Sequence, residues 1–269
     1  MRIRTGSVLG LAISMIIGGA VLCFGTYAAG ADTSITWNNL NIGFHGVNYG
    51  SNNYNSDDFN TISEELEKFD KVSLNLDTMD LEIKIGDNYQ LDATYFKEDE
   101  FTYEVKKGEL VINQNMEHSV LFGFNTKIGK VTLYLPKGKT LKDMDIQLGI
   151  GETHIENVVT DAFELNGGVG EIVIKNLVSK DTKVTVGVGE VKMQGDLKGK
   201  TFIEGGIGSF YLELVGDEKE YNYDIEKGIG ETTINNRTYE GFSNTTEDNE
   251  GANQISIESG IGEIKIKTN

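Results

Sequence analysis

From Lys71 onward, apolar and polar residues alternate with a period of two, the signature of strands that bury one face. Val72, Leu74 and Leu76 form one such run, Leu81, Ile83 and Ile85 a second, and Leu91, Ala93 and Tyr95 a third, with a Gly-Asp-Asn turn at 86–88. Leu110 to Ile112 and Val131 to Leu135 continue the pattern as far as Pro136-Lys137-Gly138. The single proline of the chain thus falls in a turn, where its missing N–H costs no ladder hydrogen bond.

The alternation becomes a repeat at Gly149. Gly149-Ile150-Gly151-Glu152 returns as Gly168-Val169-Gly170-Glu171, Gly187-Val188-Gly189-Glu190, Gly206-Ile207-Gly208-Ser209, Gly228-Ile229-Gly230-Glu231 and Gly260-Ile261-Gly262-Glu263. Successive copies are 19, 19, 19, 22 and 32 residues apart, which marks a structural repeat. After each motif, apolar residues alternate in step: Thr153 and Ile155, Ile172 and Ile174, Val191 and Met193, Phe210 and Leu212, Thr232 and Ile234, Ile264 and Ile266. These are expected to face inward, as are Phe163, Leu165, Val184, Val186 and Ile203 before the motifs, with Phe202 out of phase.

Placing the central motif residue, such as Val169, in the core puts it an odd step before Ile172, so a corner at the glycines is required. Asn157, Asn176, Gly195 and Asn236 share one position five residues after the motif glutamate and are expected to close a second corner in a left-handed turn. A coil of about 19 residues with two short strands is too thin to hold a core alone, so coils must stack. The predicted fold is therefore all-β, a β-solenoid spanning 61–269. The polar stretch from Arg237 to Asn253 fills the long last interval and reads as a loop leaving one side. The final coil, ending soon after Glu263, would be an exposed edge guarded by Lys265 and Lys267, or a surface for end-to-end association of two copies.

Ahead of the solenoid, Thr61 and Glu64 have capping-box spacing and Ile62, Leu66 and Phe69 recur at helical intervals, predicting a short capping helix. Residues 32–60, rich in Asn, Gly and Ser, read as a flexible linker. Residues 1–31 carry an apolar run from Val8 to Phe24 behind Arg2 and Arg4. A membrane anchor through residues 8–27 and a cleaved signal peptide ending at Ala29-Gly30-Ala31 are the two readings. The length of the run favours the anchor, with a cytoplasmic N-terminus and an extracytoplasmic body. Cys23, the single cysteine, lies inside that run, so the exported part can form no intrachain disulfide.

The net charge is −18; residues from Asp32 onward carry 22 basic and 42 acidic side chains, a balance of −20. Such a surface opposes nucleic-acid binding. Gly-x-Gly without a third glycine is not a dinucleotide loop, and a calcium β-roll would need aspartate where Ile172 and Phe210 stand. His45, His118 and His154 have no metal-ligand spacing, and no nucleophile elbow is present. No catalytic, cofactor-binding or metal site is therefore assigned, and no cofactor is expected.

The most suggestive chemistry is an outward ladder of Glu152, Glu171, Glu190, Glu231 and Glu263, interrupted by Ser209. Like charges one rung apart repel, so Lys175, Lys192 and Lys265 are expected to compensate them, unless corner backbone N–H groups or a bound cation do so.

The Leu135-Pro136-Lys137-Gly138 turn, preceded by Val131-Thr132-Leu133-Tyr134 and followed by Gly-x-Gly-Glu coils, resembles the bacterial putative-adhesin family, a β-strand-repeat domain of unknown function. The resemblance runs from about Phe69 to Lys267 and implies a β-helical fold at the cell surface, with no catalytic residues. The N-terminal segment is similar to that of the membrane-bound member encoded beside a cell-envelope stress sensor in Gram-positive bacteria. Two roles follow: a surface module binding an envelope polymer or protein, or a regulatory ectodomain of a stress-signalling component.

Overall fold

The computed structural model describes residues 58–116, 128–239 and 244–269. The expected membrane segment, nearly all of the linker, Cys23, His45 and His118 lie outside these residues. Among the described residues no helix is long and apolar enough to cross a membrane. The described residues are all-β, and the 3-10 turn Glu218–Glu220 is a brief exception.

The strands are β1 (Phe59–Glu65), β2 (Lys71–Gly86), β3 (Gln90–Phe96), β4 (Glu100–Lys106), β5 (Glu109–Asn115), β6 (Gly129–Pro136), β7 (Thr140–Ile150), β8 (Thr153–Glu156) and β9 (Val159–Leu214). They continue as β10 (Tyr221–Ile229), β11 (Thr232–Ile234), β12 (Arg237–Tyr239), β13 (Thr245–Glu247), β14 (Asn253–Ile261) and β15 (Ile264–Thr268). β9 is a continuous ribbon of 56 residues that winds through three of the glycine corners.

The coils stack in parallel register, in the manner of a β-solenoid. Leu74 lies beside Ile146 and Ile146 beside Leu165, while beyond the corner Leu81 lies beside Thr153 and Thr153 beside Ile172. Thr153, Ile155, Ile172, Ile174, Val191, Met193, Phe210, Leu212, Thr232, Ile234, Ile264 and Ile266 are all buried, and Phe202 points outward beside Ser256, as the alternation predicts. Each inward side chain removed from water stabilises by about 1.5–3 kcal/mol, available only when the neighbouring coils are in place.

The coils do not stack in sequence order. β14 lies between residues 200–207 of β9 and β10, and β15 between residues 210–214 of β9 and β11. The Gly260 coil is thus inserted between the Gly206 and Gly228 coils, and the expected exposed last rung is an interior one. Its inward residues Ile255, Ile257, Ile264 and Ile266 are nearly inaccessible, which the terminal position could not have provided.

Arg237 to Asn253 is likewise more than a departing loop. β12 pairs antiparallel with β11, and β13 with β10, so the segment folds back over the outer coil. Arg237 ties it down by binding Glu218 and Glu247, the latter at 2.6 Å, while Tyr239 donates to Glu247. At the other end β4 runs antiparallel to β5, β3 to β6, and β1 to β3. Antiparallel strands at both ends use donors and acceptors that would otherwise template aggregation.

The expected capping helix over 61–69 is instead strand β1 and its exit. Seven register pairs with β3, from Phe59 opposite Phe96 to Glu65 opposite Gln90, offer more backbone hydrogen bonds than a helix of two turns, whose nucleation is unfavourable.

Candidate functional site

The glycine corners decide which side chains face out. Gly170 has φ +156°, and a Cβ there would stand 1.9 Å from the Gly151 carbonyl oxygen of the coil below; Gly189 repeats both features. The central motif residue, expected in the core, turns outward: Ile150 is 46% exposed, Val169 51% and Ile229 56%. The corner absorbs the reversal of facing, so Val169 and Ile172 need not share a side and the odd step between them is no contradiction. Along the stack the exposed motif residues adjoin one another, Ile150 beside Val169, Ile207 beside Ile261 and Ile261 beside Ile229.

At the opposite corner Asn157 and Asn176 adopt the left-handed conformation, and the Asn176 amide donates to Asn157 Oδ1 at 3.0 Å. Gly195 does not have positive φ; it is glycine because a Cβ would lie 2.2 Å from the Leu177 carbonyl oxygen. In the Gly228 coil the left-handed residue is Asn235 rather than Asn236, since the chain turns there into the β11–β12 hairpin.

The glutamate ladder runs Glu152, Glu171, Glu190, Ser209, Glu263, Glu231 in the order of the stack. Lys192 Nζ bridges Glu171 at 2.9 Å and Glu190 at 3.0 Å, and Lys265 Nζ binds Glu263 at 2.6 Å, as anticipated. Lys175 does not join the ladder; its nearest carboxylate is Glu156, 3.8 Å away. Tyr211 donates to Glu263 Oε2 at 3.0 Å from the rung where Ser209 replaces glutamate. These contacts hold the Glu263 carboxyl below the usual range and, through Glu171 and Glu263, push the Lys192 and Lys265 ammonium groups up. The backbone N–H of Glu152 donates to Asp80 Oδ1 at 2.8 Å, so an aspartate from β2 guards the first corner. Among the described residues no three His, Cys, Asp or Glu side chains converge to hold a metal ion, and His154 stands in an outward row beside Glu82 and Val173.

Next to the ladder the outward rows of the second strand of each coil enclose a groove of about 430 Å³. Val173, Lys192, Tyr211 and Lys265 line its middle, and Lys175 and Lys267 stand along its far side. Tyr211 and Lys265 are register partners, as are Glu213 and Lys267, with the Lys265 ammonium 5.6 Å from the Tyr211 ring centre. The groove was not foreseen from the sequence, because Lys265 reaches Tyr211 only through the insertion of the last coil.

The described residues form a stacked β-solenoid with a groove on one sheet face. Residues 69–196 match the model of the Toastrack DUF4097 family. The chain is similar to a structure described as a putative cell adhesion protein from Clostridium sporogenes, at 25% identity and a TM-score of 0.50, over 78% of this chain and 100% of that one. More remote likenesses are a putative adhesin from Bacteroides fragilis, 12% identical with a TM-score of 0.34 over 78% and 98% of the two chains, and a putative lipid binding protein from Parabacteroides distasonis, 12% identical with a TM-score of 0.33 over 80% and 98%. No curated protein matches the chain.

Proposed function

We propose that the chain is a non-catalytic binding module of the bacterial cell surface, held at the membrane by residues 8–27 with the solenoid outside, and that it contacts an envelope component through the groove on its stacked face. The observation that carries this reading is the groove itself, an apolar-floored depression with an aromatic ring and ammonium groups on a rigid sheet. The likeness to a protein described as a putative cell adhesion protein supports the same role. An enzyme would require acid, base or nucleophile to converge, whereas here the carboxylates are spread along the stack by the repeat.

The test is co-sedimentation of the full-length chain, in mild detergent, with purified cell envelopes. Saturable pelleting is expected, reduced by Tyr211→Leu; no pelleting with any envelope fraction would end this reading. Recovery of a membrane sensor protein as the stoichiometric partner would instead favour the regulatory ectodomain.

A further inference from the structure

The groove is an anomaly of charge. The chain from Asp32 onward has a balance of −20, yet Lys175, Lys192, Lys265 and Lys267 gather around this one depression against two lining carboxylates, Glu190 and Glu213. Lys192 and Lys265 are already committed to Glu171, Glu190 and Glu263. Lys175 meets Glu156 only at 3.8 Å, with both side chains about half exposed, so the pair contributes little. Lys267 is exposed and has no ion-pair partner among the described residues. Its register neighbour Glu213 instead accepts a hydrogen bond from Asn269 Nδ2 at 2.7 Å.

Lys175 and Lys267 stand at the two ends of one outward row, on residues 175, 194, 213 and 267, which is three rungs or roughly 14 Å. Between them in that row lie Gln194 and Glu213, and the adjoining outward row carries the half-buried Tyr211 ring on the rung next to Lys267. An extended polyphosphate backbone, charged at every few ångströms, would meet the surrounding acidic surface, whereas charges beyond about 8 Å are screened at physiological salt. The site suits a ligand whose negative charges are widely spaced and separated by ring faces that can lie on a tyrosine.

We infer that the groove binds an acidic glycan, with Tyr211 stacking on a sugar ring and Lys175 and Lys267 receiving its flanking anionic groups. This rests on the binding role proposed above and names the ligand chemistry of the same groove. Lys192 and Lys265 act as positioning residues, holding the ladder carboxylates so that they do not repel the incoming anion.

Calorimetric titration of the full-length chain tests it with three probes: a uronate oligosaccharide, a sugar-phosphate polymer and the carboxyl-reduced neutral form of the first. Binding of at least one anionic probe is expected, about tenfold tighter than the neutral glycan and weakening as salt rises. Whichever of the two binds identifies carboxylate or phosphate as the anionic group. Lys175→Gln together with Lys267→Gln should lower that affinity about tenfold, and Tyr211→Leu by a similar factor. Lys180→Gln, which removes an exposed partner of Asp161 outside the groove, should leave it unchanged. Equal affinity for the neutral glycan, an unaltered double variant, no binding of either anionic probe, or polyglutamate binding as tightly as the glycan would each overturn the inference. Envelope pelleting that survives in the double variant would overturn it too, while leaving the binding role intact.

Discussion

At the scale of single residues the corner glycines carry the strongest constraint. Gly170 combines a backbone conformation closed to L side chains with a carbonyl 1.9 Å from where a Cβ would sit, so Gly170→Ala should cost about 3 kcal/mol or more in denaturant unfolding. Gly138, with φ +76° and open space around it, supplies the comparison: Gly138→Ala should cost about 1–2 kcal/mol. Equal costs would show that close stacking does not explain the motif. Glu258 supplies a second test. It lies beside Glu204 and Glu226 in register, and burial, followed by those two carboxylates and Asp224, raises its pKa. A carboxyl raised in the folded state contributes stability at low pH that is lost as pH rises through the folded value. Glu258→Gln should therefore stabilise the protein at pH 7 by up to about 1 kcal/mol, and the gain should fade below about pH 4. A gain independent of pH would contradict this. The need for glycine was legible in the repeat; the outward turn of Val169 was not, because alternation says nothing about how a corner reverses facing.

Among the elements, β14 and β15 do most to organise the C-terminal half. The six motif copies announce six corners, and the inward residues on either side follow from parity, which is why the core was readable from the sequence. Order was not, since Gly228 and Gly260 coils carry nearly the same pattern and either could pack on the Gly206 coil. What separates them is the cover: β12 and β13 fold back only on the Gly228 coil, so that coil is the outer one. The predicted helix at 61–69 failed for a related reason, since the β3 edge needed a partner that local spacing cannot reveal. Ile257, buried between Ile203 and Ile225, links three coils. Ile257→Ala should cost about 2–5 kcal/mol, and hydrogen exchange should accelerate in Tyr221–Ile229 as well as in β14. Loss of protection confined to the last seventeen residues would speak for a terminal rung.

Across the whole molecule, binding depends on coil order. Tyr211 comes from the fourth motif coil and Lys265 and Lys267 from the sixth, so the proposed groove exists only where those coils touch. The composition of the sequence pointed away from an anionic ligand, because a balance of −20 does not say where individual lysines gather. Register restores the local picture. It places four lysines and two glutamates on one depression, with Lys192 paired to Glu171 and Glu190 and Lys265 to Glu263.

The most direct measurement is therefore a cross-link between Glu213 and Lys267, register partners on adjacent outward strands. In full-length chain bearing Glu213→Cys, Lys267→Cys and Cys23→Ala, the inserted coil places the two α-carbons about 4.8 Å apart, within disulfide reach. Mild oxidation should then give a near-quantitative 213–267 disulfide by peptide mapping, with the fold retained. Stacking in sequence order would put the Gly228 coil between them at about 10 Å, and failure of that disulfide to form would remove both the coil order and the groove built on it.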